Sequence, residues 1–134
     1  MLTKSVLTVA ETTQILAAAR AEAEKNQWAV TIAVVDDGGH LLGLVRLDGC
    51  APVGAYIAPE KARTSALGRR ESKVYEDMIN GGRTAFLSAP LAGSLEGGVP
   101  VIVDGQVIGA VGVSGVKADQ DAQIARAGAA ALNG

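Results

Sequence analysis

The stretch LEGGVPVIVDGQVIGAVGVSG, residues Leu95–Gly115, carries the strongest structural signal in the chain. It contains two apolar runs rich in β-branched residues, Val99–Val103 and Val107–Val113, which are joined by Asp104 and Gly105. An Asp-Gly pair between two such runs is the strongest short-range signal of a β-hairpin. The stretch therefore predicts two antiparallel strands with a tight turn between them.

An earlier segment, Val34–Gly49, repeats this arrangement with the sequence VVDDGGHLLGLVRLDG. A strand predicted over Trp28–Val35 is followed by a turn at Asp36–Gly39, where glycine tolerates positive φ angles. A second strand is predicted over Leu41–Leu47. Two hairpins combined with helices predict a small α+β fold, a single domain that comprises residues 1–134.

Helices are predicted before, between and after the two hairpins. The segment from Thr8 to Glu11 fits a capping box, so the first helix is predicted to begin at Thr8. A helical pattern over Val53–Arg70 contains Pro59, which either starts a new helix after a short turn or kinks a continuous one. We further predict a short helix over Ser72–Ile79 and a short strand or helical turn over Thr84–Leu87. A glycine-rich loop is predicted over Pro90–Gly98. The last helix is predicted over Asp119–Leu132, with Asp119 as its N-cap.

Length and charge limit the classes of protein that this chain can represent. Its 134 residues correspond to one domain. The 12 basic and 14 acidic residues give a formal charge of −2, which provides no basic stripe for nucleic acid. No apolar run is long enough to span a bilayer, and the N-terminus lacks the pattern of a signal peptide. The single cysteine, Cys50, excludes an internal disulfide, so a soluble cytoplasmic protein is predicted.

Composition also favours self-association. Hydrophobic residues make up 49% of the chain but aromatic residues only 3%, and 17 glycines are spread along it. Small residues let backbones approach closely, and so high an apolar content in a small domain is typical of surface that is buried in an oligomer. We therefore predict a homo-oligomer.

His40 is the only histidine, and it follows two glycines at the first hairpin turn. A lone histidine does not form a metal site by itself, because such sites gather three or four ligands. It can serve as one axial ligand of a haem, whose macrocycle supplies the other donors, or it can be a turn residue with local hydrogen bonds only. Cys50 is separated from His40 by an extended strand, so we predict a small buried thiol rather than a nucleophile paired with that histidine.

Three basic residues are further candidates for a ligand site. Arg46 and Asp48 share one face of the second strand, where they either hold a carboxylate-bearing ligand or pair with each other. Lys61 and Arg63 belong to the helix after Pro59, and their alternative role is a solvated face whose aliphatic stems cover apolar surface. The sequence shows no serine triad, spaced metal cluster, phosphate loop or dinucleotide fingerprint, so no catalytic residue is predicted.

Four separated segments, in order, resemble the GlcG/HbpS-like haem-binding family, which includes the C-terminal domain of PduO-type corrinoid adenosyltransferases. The matching segments are VVDDGGHLLGLVRLDG at Val34–Gly49, KARTSAL at Lys61–Leu67, GGVPVIVDGQVIGAVGVSG at Gly97–Gly115 and QDAQIARAGAAAL at Gln120–Leu132. The resemblance implies a profilin-like antiparallel sheet of about five strands with helices packed on it. It also implies assembly into homo-oligomers, often octamers.

The resemblance further implies a function. Several family members bind haem, so haem or a related tetrapyrrole or corrinoid is the implied ligand, in a role accessory to a catabolic or cofactor-handling pathway. The family's Gly-Gly-His turn matches Gly38-Gly39-His40, which implies His40 as the iron ligand, and the Lys61–Arg63 segment supplies charges for the propionates.

An alternative function follows from the same resemblance. Other members are encoded with enzymes of glycolate, glycerol or propanediol breakdown. The chain would then be an enzyme or auxiliary factor acting on a small hydroxy acid or a diol-derived metabolite, with Arg46, Lys61 and Arg63 as its basic set. Because the sequence has few aromatics to line a haem pocket, a smaller organic acid or a pocket completed by a neighbouring subunit stays open.

Overall fold

The predicted valine-rich hairpin is present in the computed structural model, which describes residues 1–132. Strand β3 covers Gly98–Val103 and pairs antiparallel with β4, which covers Gln106–Ser114. Asp104 and Gly105 connect the strands with φ angles of 52° and 74°. Two successive positive φ angles are typical of a type I′ turn, whose twist matches that of the strands it joins.

The other predicted hairpin is also present. β1 (Thr31–Asp36) pairs antiparallel with β2 (Leu41–Arg46) on one side and with β4 on the other, giving the strand order β2-β1-β4-β3. Four strands lie within residues 1–132, whereas the resemblance implies about five. β1 begins later than predicted, because the backbone N–H of Trp28 still donates to the carbonyl of Ala23 at 2.9 Å.

Helices cover both faces of this sheet. They are α1 (Val9–Lys25), α2 (Gly54–Gly68), α3 (Lys73–Asn80) and α4 (Ala118–Ala129), with 3₁₀ helices at Thr84–Ser88 and Ala130–Leu132. Thr8 is the N-cap of α1, and its backbone N–H donates to the Glu11 carboxylate at 2.9 Å, as the capping box predicts. The 3₁₀ helix at Thr84–Ser88 confirms the helical alternative that was predicted for Thr84–Leu87.

The start of α4 corrects one prediction. The N-cap is Lys117, so Asp119 lies in the first helical turn and not at the cap. Asp121 reaches back instead, and its Oδ1 atom accepts a hydrogen bond from the backbone N–H of Val116 at 3.1 Å. A carboxylate in the first turn can accept such a hydrogen bond from an unpaired backbone N–H group, and its negative charge is stabilised by the positive end of the helix dipole.

The sheet lies between two helical layers because alternate residues of a strand face opposite sides. Val111 and Val113 of β4 belong to the main core, together with Ile15 of α1 and Ile124 of α4. Ala110 lies on the opposite face, in a smaller cluster formed with α2. The α1 and α4 helices therefore cover one face of the sheet, and α2 covers the other.

Helix α2 runs through Pro59 without a break, so the interpretation of Pro59 as the start of a new helix is wrong. Proline has no N–H, so α2 lacks one internal hydrogen bond at this position. Close packing on the sheet accompanies this irregularity: a Cβ atom added to Gly112 would lie 2.5 Å from the backbone nitrogen of Ala62. α2 is thereby held against the central strands, and its middle reaches the β1–β2 turn.

Candidate ligand-binding site

The turn between β1 and β2 presents a histidine that is held by a carboxylate. The Nδ1 atom of His40 lies 3.1 Å from Oδ1 and 3.2 Å from Oδ2 of Asp36. Oδ1 also accepts hydrogen bonds from the backbone N–H groups of Gly38 at 2.9 Å and His40 at 3.0 Å. Because Nδ1 is engaged and the side chain of His40 is 80% exposed, Nε2 is the ring nitrogen available to a ligand.

The Asp36 side chain is ionised in this arrangement. Burial would raise the pKa of its carboxyl group, but the backbone N–H groups of His40 and Gly38 and the His40 ring donate to the carboxylate and outweigh burial. The pKa of Asp36 is therefore lowered from its ordinary value. An ionised carboxylate only accepts hydrogen bonds, so Nδ1 of His40 is the donor in the pair.

Three side chains fix the position of this turn. The Cγ atom of Arg63 in α2 packs against Gly39, so closely that a Cβ atom at Gly39 would approach it to 2.7 Å. Gly39 has a φ angle of 82°, which glycine adopts without strain. Arg69 donates from Nη1 to the carbonyl oxygen of Asp37 at 2.5 Å, and Lys4 pairs with the Asp37 carboxylate at 2.7 Å. Helix α2 and the N-terminal segment thus hold the turn from two directions.

A cleft of about 580 Å³ lies beside Arg63, between α2, α3 and the segment that follows α3. This volume falls within the range of about 300–1,000 Å³ that is typical of small-molecule sites. Ile79, Phe86 and Leu91 contribute apolar surface to the cleft, and Asn80 contributes a polar group. The cleft can therefore accept a largely apolar ligand with a few polar groups.

Arg63 connects the turn to this cleft. Its stem packs on Gly39, and its side chain also lines the cleft. The side chain is 48% exposed and pairs with the Glu60 carboxylate at 3.8 Å, the long end of the ion-pair range. A half-exposed guanidinium with five N–H donors retains hydrogen-bonding capacity for an anionic ligand.

Arg46 lies at the opposite end of β2 from His40. Six residues of extended strand separate them, which is roughly 20 Å. The Nε and Nη2 atoms of Arg46 donate to the carbonyl oxygen of Cys50 at 3.2 and 2.9 Å, so this arginine closes the loop between β2 and α2. Cys50 itself is buried, as predicted.

Lys61 is directed into the interior. Its Nζ atom donates to the carbonyl oxygen of Val113 at 2.9 Å and to the Asp121 carboxylate at 3.1 Å. Both side chains of this ion pair are buried. The structure therefore places Arg63 against Gly39, the residue before His40, and it places Lys61 in a contact between α2, β4 and α4.

Sequence reasoning misses Asp36 and the apolar lining of the cleft. An aspartate that precedes a histidine by four residues across a tight turn is a usable signal for a carboxylate–imidazole pair. The cleft residues Ile79, Phe86 and Leu91 carry no such signal. They meet only because α3, the 3₁₀ helix at Thr84–Ser88 and the following loop fold against one another.

Residues 1–132 contain no group of three or more His, Cys, Asp and Glu side chains arranged to hold a metal ion. A haem needs fewer protein donors, because its macrocycle occupies the in-plane positions of the iron. In the same part of the chain, no helix combines the length and apolar character that crossing a membrane requires.

One protein family matches nearly all of this structure. Residues 7–130 match the family described as "Haem degrading protein HbpS-like". The chain belongs to the HbpS-like family. The resemblance seen in the four separated sequence segments is thereby confirmed.

Individual proteins of similar sequence or structure extend this comparison. The chain is 66% identical to Protein GlcG of Escherichia coli (strain K12) over 114 residues, which cover 85% of each protein. It is similar to the crystal structure of a double mutant of Streptomyces reticuli HbpS, with a TM-score of 0.88 and 33% identity over 98% of this chain and 90% of that one. It is also similar to a PduOC:haem complex, with a TM-score of 0.83 and 28% identity over 96% of each chain. These similarities confirm the α+β fold.

Proposed function

We propose that this protein is an oligomeric haem-binding protein in which His40 is the axial ligand of the iron. The observation that carries the proposal is the exposed imidazole whose Nδ1 atom is held by Asp36, so that Nε2 is available. Membership of the HbpS-like family and similarity to a PduOC:haem complex support the same class of ligand. A bound haem would supply a redox-active iron, which His40 would hold.

Arg63 and the adjoining cleft fit the remaining parts of a haem. A propionate needs a cationic partner, and a guanidinium can hold its two oxygens with two parallel hydrogen bonds. The apolar side chains of Ile79, Phe86 and Leu91 suit the faces of a porphyrin. In this proposal His40 would hold the iron, Arg63 would hold a propionate, and the cleft beside Arg63 would shield part of the ring from water.

We also propose that the protein acts as a homo-oligomer in the cytoplasm. Leu41, Leu42 and Leu44 of the edge strand β2 are 55%, 41% and 38% exposed, which supports coverage by another copy. The single cysteine fits a compartment in which thiols stay reduced. An accessory role in a catabolic or cofactor-handling pathway is part of the same proposal.

Titration of the purified protein with haemin, followed at the Soret band, tests this function. We expect saturable binding by the wild type and at least about a tenfold loss of affinity in His40→Ala, with a shifted band. Arg63→Ala is expected to weaken binding but to leave the band position unchanged, because it removes a propionate contact and not the iron ligand. Arg46→Ala is the matched arginine control at the other end of β2, and it is expected to bind like the wild type.

Each outcome of this titration has a defined meaning. The absence of any Soret shift in the wild type would contradict haem binding altogether. Identical spectra and affinities for the wild type and His40→Ala would show that His40 is not the ligand. A loss of affinity in Arg46→Ala but not in Arg63→Ala would place the propionates at the opposite end of β2.

A small organic acid is the second candidate ligand, and the polar part of the cleft favours it. Arg63 and Asn80 together offer a cation and an amide that suit the carboxylate and hydroxyl of a hydroxy acid. A thermal-shift screen of two- to four-carbon hydroxy acids tests this alternative. Stabilisation that disappears in Arg63→Ala would support it, whereas a flat response beside clear haemin binding would eliminate it.

A further inference from the structure

The Asp36 carboxylate contacts His40 in a way that determines which ring nitrogen carries the proton. Both carboxylate oxygens lie near Nδ1, at 3.1 and 3.2 Å. The proton of a neutral imidazole resides on the nitrogen that donates the stronger hydrogen bond, and the other nitrogen keeps its lone pair. With Asp36 as an obligatory acceptor, the proton belongs on Nδ1 and the lone pair on Nε2.

We propose that Asp36 is a positioning residue that holds His40 as the Nδ1–H tautomer and thereby directs the Nε2 lone pair toward the haem iron. The effect of Asp36 on the iron rests on the proposed haem binding, whereas the tautomer of His40 is a property of the ligand-free protein. A carboxylate behind a ligating imidazole also increases the electron density at the metal-binding nitrogen. Asp36 should therefore affect both the affinity for haem and the reduction potential of the iron.

Besides the hydrogen bonds that Asp36 Oδ1 accepts from the backbone of Gly38 and His40, the turn is held by contacts that do not involve the Asp36 side chain. Arg69 donates to the carbonyl oxygen of Asp37, Lys4 pairs with the Asp37 carboxylate, and the stem of Arg63 packs on Gly39. The backbone of the turn is thus fixed by α2 and the N-terminal segment. A change confined to the charge of Asp36 can therefore alter the imidazole without displacing the turn.

Asp36→Asn separates the two roles of the Asp36 side chain, which are to accept backbone hydrogen bonds within the turn and to set the tautomer of His40. Its amide oxygen can still accept hydrogen bonds from the backbone N–H groups of Gly38 and His40, as Oδ1 of Asp36 does now. Its NH₂ group takes the position of Oδ2 near Nδ1, and its neutral oxygen is a weaker acceptor than the carboxylate, so the preference for the Nδ1–H tautomer is reduced in favour of Nε2–H. Asp119→Asn is the matched control, because Asp119 is exposed in the first turn of α4, which follows the end of β4 that pairs with Thr31, far from Asp36.

Nitrogen NMR of the ligand-free protein reads the tautomer directly. His40 is the only histidine in the chain, so the two ring-nitrogen resonances of labelled protein need no assignment to position. In alkaline buffer we expect the Nδ1–H form in the wild type and in Asp119→Asn, and a larger share of the Nε2–H form in Asp36→Asn. A wild type in the Nε2–H form would overturn the inference without any variant being needed.

Haem-loaded protein tests the consequence for the iron. Asp36→Asn is expected to bind haemin about 10–100-fold more weakly than the wild type and to have a higher reduction potential, whereas Asp119→Asn should match the wild type on both measures. A tautomer switch in Asp36→Asn with unchanged affinity and potential would overturn the positioning role. Failure of the wild type to bind haemin would overturn the proposed function instead, and NMR of the ligand-free protein would still decide the tautomer.

Discussion

Lys61 shows how burial changes the role of a charged side chain. The sequence places Lys61 and Arg63 two positions apart on one helix, yet only Arg63 lies at the turn and the cleft. Lys61 pairs with Asp121, and both side chains are buried. Burial raises the pKa of Asp121, although the Lys61 ammonium opposes this effect. Such a pair is sensitive to the loss of one member, because the remaining charge is left without compensation.

Lys61→Met is therefore expected to destabilise the protein by about 3–5 kcal/mol, since it leaves the Asp121 carboxylate buried and unpaired. Urea denaturation followed by far-UV circular dichroism measures the free energy of unfolding. The double variant Lys61→Met/Asp121→Leu is expected to recover much of the loss, because it removes both charges.

Lys73→Met is the matched control for this prediction. Lys73 pairs with Asp77 at 2.7 Å, but the side chains of this pair are 44% and 58% exposed. Water screens exposed ion pairs, so no measurable loss of stability is expected. Equal stabilities of Lys61→Met and Lys73→Met would show that the buried pair is not the contact described above.

At the scale of secondary-structure elements, α2 determines the site because it packs so closely on the sheet. Small residues of the helix meet glycine on β4, and a Cβ atom added at Gly112 would clash with the carbonyl oxygen of Ala58 and lie 2.5 Å from the nitrogen of Ala62. The same helix carries Arg63, whose stem packs on Gly39. The distance between α2 and β4 thus sets where Arg63 meets the histidine turn.

Gly112→Ala is expected to push α2 away from β4 and to cost about 1–3 kcal/mol of stability, as overpacking does. Gly81→Ala is the control, because Gly81 is exposed and has an ordinary φ angle of −77°. Thermal unfolding of the two variants measures the difference. A Gly112→Ala protein as stable as Gly81→Ala would contradict the close contact between α2 and β4.

The elements differ in how far local sequence determines them. Both hairpins are predicted correctly, because Asp-Gly and Gly-Gly turns impose their geometry over a few residues. Helix α2 is predicted less well, because the sheet holds a helix around Pro59 that local propensity would interrupt. The N-cap of α4 differs by two residues from the predicted Asp119, since Asp121 provides the reach-back hydrogen bond.

At the scale of the whole molecule, the edge strand β2 carries three exposed leucines. Leu41, Leu42 and Leu44 lie on the strand that leads away from His40, and within residues 1–132 β2 pairs with β1 alone. An exposed apolar edge offers unpaired backbone groups and hydrophobic area to another chain. This arrangement supports self-association of the protein through β2.

Light scattering coupled to size-exclusion chromatography is expected to give the mass of two or more subunits of 13.5 kDa each. The double variant Leu42→Lys/Leu44→Lys should reduce this mass, because lysine on an edge strand opposes strand addition. Val9→Lys is the control, since Val9 is 82% exposed on α1. A wild type that elutes as a single subunit would contradict the proposed oligomer.

The sequence by itself determined the two hairpins, the α+β class and the family, and it predicted four candidate site residues, which are His40, Arg46, Lys61 and Arg63. Each of these depends on local turn chemistry, on hydrophobic periodicity or on an ordered set of segments. Only the tertiary structure decided that Arg63 meets the histidine turn while Lys61 is buried and Arg46 closes a distant loop. It also decided that Asp36 holds the imidazole and that a cleft opens beside Arg63. The physical reason is that packing, and not spacing along the chain, determines which side of a helix faces the sheet and which side chains come within hydrogen-bonding distance.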